Sequence, residues 1–180
     1  MSNHRTPSTV KPAAAAALAI FAIASATLAG AWYFQLVVGL QPCPLCLQQR
    51  IAYDVVIPLS LLLAIAALLR APHKLLAVGF AVIFIAALWN AGLATYHAGV
   101  EWHWWAGPSD CTGPLTDLNA GGSLLSQLQS VHVVRCDEAP WRFLRLSLAG
   151  YDALISLVLT AIAAFGLLAR KGLTLPPARS

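Results

Sequence analysis

Charged side chains are scarce in this sequence. Lysine, arginine, aspartate and glutamate together make up 10% of its 180 residues, whereas 59% are hydrophobic. A soluble domain usually carries about 25% charged residues, so this composition excludes an ordinary soluble globular protein. The net charge of +4 does not indicate nucleic-acid binding, because the basic residues stand at the ends of apolar segments and form no stripe interleaved with aromatic residues. The composition is typical of a membrane protein.

Motifs for a resident metal, haem or flavin are also missing. A Cys₄ zinc site uses two close cysteine pairs. Cys43 and Cys46 form such a pair, but Cys111 and Cys136 are separated by 24 residues of a glycine-rich segment. We therefore predict no metal site. An even number of cysteines suits two disulfides, which persist only on the oxidising side of a membrane.

Four apolar segments are long enough to cross a bilayer, which takes about 20 residues each. They cover about 13–40, 47–69, 75–95 and 146–169. The first could be read as a cleaved signal peptide, but its apolar run exceeds the 7–15 residues of a signal core, so an uncleaved span is favoured. The sequence thus predicts an all-α membrane protein: an antiparallel four-helix transmembrane bundle that forms a single domain over residues 1–180.

The segments 41–46 and 96–145 are predicted to be loops on the same face of the membrane. In the longer loop, leucines and a valine recur at helical spacing between residues 123 and 131, opposite polar residues. This pattern favours a short amphipathic helix in the membrane interface, although a packed surface helix of a small loop subdomain accounts for it equally well.

The positions of lysine and arginine predict the orientation of the bundle. Most of them stand next to the two termini or in the short loop between the second and third spans: Arg5, Lys11, Arg70, Lys74, Arg170, Lys171 and Arg179. The positive-inside rule then places both termini in the cytoplasm. All four cysteines fall on the opposite, oxidising side, as two disulfides would require.

The motif Cys43-Pro44-Leu45-Cys46 lies between the first two spans. Pro44 favours the first position of a helix, so the second helix is predicted to begin inside the motif. A helix N-terminus and a cation both lower the pKa of a cysteine thiol, and Arg50 lies one helical turn beyond Cys46. The alternatives are a structural disulfide for the cysteines and, for Arg50, an interface anchor paired with Asp54.

Two interpretations of the four cysteines remain after zinc is set aside. In one, both disulfides are structural and the protein is a non-enzymatic membrane scaffold. In the other, a loop disulfide between Cys111 and Cys136 meets soluble thiol partners, and the dithiol of Cys43 and Cys46 reaches an acceptor in the lipid. A quinone dissolved in the bilayer is the natural acceptor, and Arg50 is placed to polarise its carbonyl.

These residues resemble the DsbB family, the bacterial inner-membrane oxidases that reoxidise the periplasmic dithiol protein DsbA. The resemblance covers nearly the whole chain. It rests on Pro42-Cys43-Pro44-Leu45-Cys46 with Gln49-Arg50, on Tyr96-His97, on the single Cys111, and on the closing segment from Cys136 to Leu144.

The resemblance implies a role for each matched position. Cys111 would be attacked by the partner's thiolate, and the released Cys136 would bridge to Cys43. Cys46 would then remain as a thiolate in a charge-transfer complex with ubiquinone or menaquinone. Arg50 would orient the quinone, and His97 would lie near it, unless it is only an interfacial hydrogen-bonding histidine. The implied activity is that of a protein-dithiol:quinone oxidoreductase.

The sequence also departs from the family pattern. Gln49 stands where well-studied members have glutamate, and residues 112–135 differ from theirs. A relative that serves one dedicated partner, as DsbI does, is therefore an alternative to a general DsbA oxidase. The vitamin K epoxide reductases share a four-helix core with a C-x-x-C motif, but theirs typically lies late in the chain.

Overall fold

The computed structural model describes residues 10–108 and 135–168, and these form a four-helix bundle with one short hairpin. The helices are α1 (Val10–Leu36), α2 (Pro44–Leu68), α3 (His73–Glu101) and α4 (Leu148–Leu168). Strands β1 (Arg142–Phe143) and β2 (Leu146–Ser147) pair antiparallel just before α4. All four helices are long and apolar enough to cross a membrane, which confirms the predicted four-helix transmembrane bundle.

The helices are arranged as a ring in which each packs mainly against two neighbours. The main contacts join α1 with α2, α2 with α3, α3 with α4, and α4 with α1. The centre of the bundle is filled by fully buried side chains from all four helices, among them Ile20, Val56, Phe80, Ile83 and Leu159. Many leucines and isoleucines on the outer faces are exposed, as expected of surfaces that contact lipid.

Small residues let neighbouring helices approach closely in several places. At Gly166 a Cβ atom would lie 2.6 Å from Cε1 of the buried Phe80 ring. At Gly79 it would lie 2.6 Å from Cδ2 of Leu63. Such contacts are typical of membrane helices, whose association depends on tight packing because lipid is as apolar as a leucine side chain.

Helix boundaries bear directly on the cysteine region. Pro44 occupies the first turn of α2, as predicted, and Cys43 is its N-cap residue. Helix α3 continues to Glu101, beyond the predicted end of the third span at residue 95, so His97 is a helical residue in the bundle. The predicted amphipathic helix at 123–131 and most of the predicted loop, Cys111 included, lie outside the described residues.

The hairpin and the end of α3 are tied together. Arg142 donates a hydrogen bond from Nη2 to the backbone carbonyl of Glu101 over 3.2 Å. The two turn residues Leu144 and Arg145 have φ values of 48° and 68°, as the tight turn of a two-residue hairpin requires. The hairpin therefore holds the segment that follows Cys136 against the end of the bundle where α2 begins.

Candidate redox site

Cys43 and Cys46 are free thiols at the start of α2, with their sulfur atoms 2.8 Å apart. Cys43 is buried and Cys46 is partly exposed. Cys43 is the N-cap residue of α2, and an N-cap side chain accepts a hydrogen bond from a backbone N–H of the first turn, which keeps its sulfur close to Cys46. Here the Cys46 amide donates to the sulfur of Cys43 over 3.2 Å. The spacing of the motif thus places both sulfurs within reach of a disulfide.

The surroundings of Cys43 favour its thiolate. The hydrogen bond from the Cys46 thiol is the largest influence, and His97 and the Cys46 amide act in the same direction. Together they outweigh burial and lower the pKa of Cys43 to about 5. The resemblance implied a thiolate at Cys46 once Cys43 is bridged to Cys136, whereas in the dithiol seen here the thiolate is favoured at Cys43.

His97 is buried beside the two cysteines, and its hydrogen bonds fix the orientation of its ring. Nε2 lies 3.6 Å from the sulfur of Cys43. Nδ1 lies 2.9 Å from the amide nitrogen of Gln49. An amide nitrogen only donates, so Nδ1 accepts and the neutral ring carries its hydrogen on Nε2, towards Cys43. An ionised glutamate at position 49 has no hydrogen to donate to Nδ1 of His97. The departure from the family pattern at Gln49 therefore changes the hydrogen bonding of this ring.

Cys136 lies next to this pair. It is disulfide-bonded and buried, and the sulfurs of Cys43 and Cys136 and a ring nitrogen of His97 all lie within 4.8 Å of one another. Two cysteines and a histidine resemble a metal-ligand set, but a sulfur in a disulfide is not a thiolate ligand. This arrangement brings a sulfur of the second predicted pair close to the first.

Arg50 is held by α1 and not by its own helix. Its Nη1 donates to Oε1 of Gln35 over 2.5 Å, and its Nη2 donates to the carbonyl of Ala31 over 3.3 Å. Its guanidinium carbon lies 5.2 Å from the centre of the Trp32 ring. Among the described residues no ion pair joins Arg50 to Asp54, which was the alternative role proposed for this arginine.

A cavity of about 470 Å³ opens beside Cys46 and Arg50. This size lies within the range of ligand pockets, about 300–1,000 Å³. Its walls come from α1, the α1–α2 connection, α2, the segment around β1 and α4, and are mostly apolar, with Phe34, Leu40, Trp141, Phe143 and Ile155 among them. The polar groups are few and include Gln49, Arg50 and Tyr53 on α2 and Asp152 on α4.

The structure also brings together residues that the sequence analysis did not single out as a site. Tyr53 and Asp152 line the cavity and hydrogen-bond to each other across α2 and α4. Glu101, buried at the end of α3, lies 3.9 Å from Nε2 of His97. For Asp152 the sequence did contain a signal, because a carboxylate within a predicted membrane span is by default a candidate for function.

Comparison with known proteins identifies a family that covers most of the chain. Residues 13–166 match the family model described as disulfide bond formation protein DsbB. A disulfide bond formation protein B from Aromatoleum aromaticum is 31% identical over 160 residues, which cover 86% of this chain and 91% of that protein.

Two further relatives carry the same name. One from Xylella fastidiosa is 33% identical over 131 residues, covering 71% of this chain and 74% of that protein. One from Xanthomonas campestris is 35% identical over 135 residues, with coverage of 71% and 74%. A family model that spans most of the chain and relatives above 30% identity lead to the same assignment: this chain is a multi-pass inner-membrane protein of disulfide bond formation and belongs to the DsbB family.

Proposed function

We propose that the protein is a protein-dithiol:quinone oxidoreductase that reoxidises a periplasmic DsbA-type dithiol protein and passes the electrons to a membrane quinone. One observation carries the proposal. The sulfur of Cys136 neighbours that of Cys43, Cys43 neighbours Cys46, and Cys46 lines an apolar cavity. This order of sulfurs connects a loop disulfide to a site suited to an apolar ligand.

The loop side of the reaction is a sequence of thiol–disulfide exchanges. A thiolate of the partner attacks Cys111 of a Cys111–Cys136 disulfide, which forms a mixed disulfide and releases Cys136 as a thiolate. Cys136 then attacks Cys43 of the oxidised C-x-x-C motif, which forms the Cys43–Cys136 bond and releases Cys46 as a thiolate. The proximity of Cys43 and Cys136 supports the second step. Cys111 lies outside the described residues, so its role follows from the family resemblance.

The residues of the cavity fit a quinone head group and its apolar tail. A quinone supplies the acceptor chemistry, taking up two electrons and two protons as it becomes a quinol. Cys46 brings its sulfur to the cavity wall, and Arg50 is fixed there by its hydrogen bonds to α1 with N–H groups left to orient a carbonyl oxygen. His97 directs its Nε2 hydrogen at Cys43 and stabilises the thiolate on the other side of the pair. Ubiquinone and menaquinone share the carbonyl chemistry that these groups recognise.

The proposed orientation places both termini in the cytoplasm and the cysteines in the periplasm. It rests on the sequence positions of lysine and arginine, most of which stand next to the two termini or in the short loop between the second and third spans. Labelling of single introduced cysteines, in a variant that lacks the four native ones, tests it. A membrane-impermeant maleimide should label position 41 in intact cells but not position 71.

The test of function is quinone reduction by the purified full-length protein. Reduced DsbA-type protein is added with ubiquinone-1 or menadione, and the loss of quinone absorbance is followed. We expect catalytic turnover that Cys46→Ser and Cys111→Ser abolish, while Ser60→Ala, which changes a buried polar residue of α2 outside the cavity, leaves it intact.

The outcomes separate the alternatives. Turnover with a different periplasmic dithiol protein, but not with DsbA-type protein, would identify a dedicated-partner relative. No turnover with either quinone or any such partner, in protein whose disulfides are intact, would contradict the proposal and favour the scaffold with structural disulfides.

A further inference from the structure

A cluster of four polar side chains lies inside the bundle, where α2, α3 and α4 meet. We call it the polar cluster; it consists of Tyr53, Asn90, Asp152 and Ser156, and all but Asp152 are buried to at least 96%. The hydroxyl of Tyr53 donates to Oδ1 of Asp152 in a short hydrogen bond. The amide nitrogen of Asn90 donates to Oδ2 of Asp152 over 3.1 Å and to Oγ of Ser156 over 2.9 Å.

Two members of the polar cluster border the cavity. Tyr53 and Asp152 belong to the cavity wall, whereas Asn90 and Ser156 stand behind them. Tyr53 follows Gln49 by four residues and Arg50 by three, so it lies on the same side of α2 as these groups. The hydrogen-bonded pair of Tyr53 and Asp152 therefore faces the same space as Cys46 and Arg50.

The cluster is arranged to hold a proton. Among the described residues Asp152 forms no ion pair, and a carboxylate without a cation inside a membrane bundle is costly as an anion. Oδ1 of Asn90 is buried and has no hydrogen-bond partner in the part of the chain that the structure describes. If the Asn90 amide turns over, that oxygen can accept a hydrogen bond from a protonated Asp152 in the place where the amide nitrogen now donates. Rotation of the Asn90 amide thus allows it to hydrogen-bond with Asp152 whether the carboxyl is protonated or ionised.

A role in helix association alone does not explain why two members of the polar cluster face the cavity. Polar side chains that only join membrane helices do so by hydrogen bonds across the helix interface. Asn90 and Ser156 fit that description. Tyr53 and Asp152 differ, because they line a cavity that already contains a redox-active cysteine and an anchored arginine.

We propose that Tyr53 and Asp152 form a proton-donating pair for the ligand of this cavity, with Tyr53 delivering the proton from its hydroxyl and Asp152 replacing it. The inference rests on the proposed function, in which that ligand is a quinone. Oxidation of one dithiol releases two electrons and two protons, and reduction of one quinone consumes two of each. The pair carries one of these protons per turnover, and Asp152 is reloaded from the protons that leave the thiols.

The experiment compares Asp152→Asn and Tyr53→Phe with the wild-type protein and with Ser60→Ala as the matched control. Steady-state reduction of ubiquinone-1 is measured with reduced DsbA-type protein as donor. Loss of a general acid typically slows a reaction by about 10²–10⁴-fold, so we expect kcat to fall by about 10²-fold in both variants. The dissociation constant of ubiquinone-1, measured by quenching of tryptophan fluorescence at Trp141 in the cavity wall, should stay close to the wild-type value.

A second readout needs no quinone. The infrared spectrum of the quinone-free protein should contain a carboxylic-acid band of Asp152 that is absent from Asp152→Asn and shifted in Tyr53→Phe, because the hydrogen bond from Tyr53 is lost. Thiol–disulfide exchange with the reduced donor, followed by alkylation and gel mobility, should match the wild-type rate in both variants. Either variant suffices if the other does not fold.

Three results would overturn the proposal. They are an unchanged kcat in a folded variant, a loss of kcat fully explained by weaker quinone binding or slower thiol exchange, and the absence of the Asp152 acid band from the wild-type spectrum. If the wild-type protein reduces no quinone at all, the proposed function fails, and the infrared comparison still decides whether this pair holds a proton.

Discussion

Alkylation of Cys43 in the reduced protein is expected to depend only weakly on pH. Hydrogen bonds from the Cys46 thiol, the contact with His97 and the Cys46 amide lower the pKa of Cys43 from 9.0 to about 5. Because the pKa is lowered, the thiolate is already formed near neutral pH and is lost only as the pH falls through about 5. The thiol of an ordinary cysteine is instead mostly protonated from about pH 5 to neutral pH.

The magnitude follows from the thiolate fraction at two pH values. For a thiol with a pKa of 9.0, that fraction rises about 100-fold between about pH 5.5 and pH 7.5. For a pKa of about 5, it rises only about 1.3-fold. The ratio of the two alkylation rates reports this difference directly, since burial of Cys43 and the nucleophilicity of its thiolate affect both rates equally.

The assay uses the full-length protein with Cys43 and Cys46 reduced, in detergent, free of quinone and oxygen. Iodoacetamide modification of the Cys43 peptide is followed by mass spectrometry, and thiolate absorbance in the ultraviolet gives a second measure that needs no access for a reagent. Cys46→Ala removes the largest influence on Cys43 and should make the rate ratio rise well above that of the wild type. A wild-type ratio near 100, or a ratio that Cys46→Ala leaves unchanged, would refute the reasoning.

Two further predictions concern the cavity and the packing of the bundle. Arg50→Ala should raise the apparent KM for ubiquinone-1 and leave thiol exchange with the donor unchanged, which steady-state kinetics and alkylation assays would show; an unchanged KM would count against its role. Gly166→Ala should lower the thermal unfolding midpoint, because its Cβ would overlap the buried Phe80 ring, and overpacking of this kind costs about 1–3 kcal/mol. Gly92→Ala is the matched control, since nothing lies within 4 Å of its added Cβ, and its midpoint should be equal to or above that of the wild type.

The sequence was sufficient to predict the bundle and the start of its second helix. Four long apolar runs separated by turn residues predict four membrane helices with little ambiguity, because lipid satisfies no backbone hydrogen bonds. Pro44 marked the first turn of α2. These features depend on local chemistry or on composition along one helix.

The pairing of side chains between helices could not be predicted in the same way. A helix that is apolar on all sides carries no periodic pattern that says which face meets which neighbour. The anchoring of Arg50 by Gln35 of α1, and the contact of Tyr53 with Asp152 of α4, depend on that rotation. Spacing along α2 offered Asp54 only as an alternative partner of Arg50, and it gave no sign of the hydrogen bonds to Gln35 and Ala31 of α1.

The N-cap contact at Cys43 also bears on the reduction potential of the C-x-x-C pair. The hydrogen bonds that lower the pKa of Cys43 to about 5 stabilise the reduced pair and are changed when the disulfide forms. At pH 7 a pKa of about 5 in place of 9.0 stabilises the reduced form by a factor of about 100, which corresponds to about 60 mV for a two-electron couple. The contacts of Cys43 with the Cys46 thiol, His97 and the Cys46 amide thereby make the Cys43–Cys46 disulfide a stronger oxidant than one formed by two ordinary thiols.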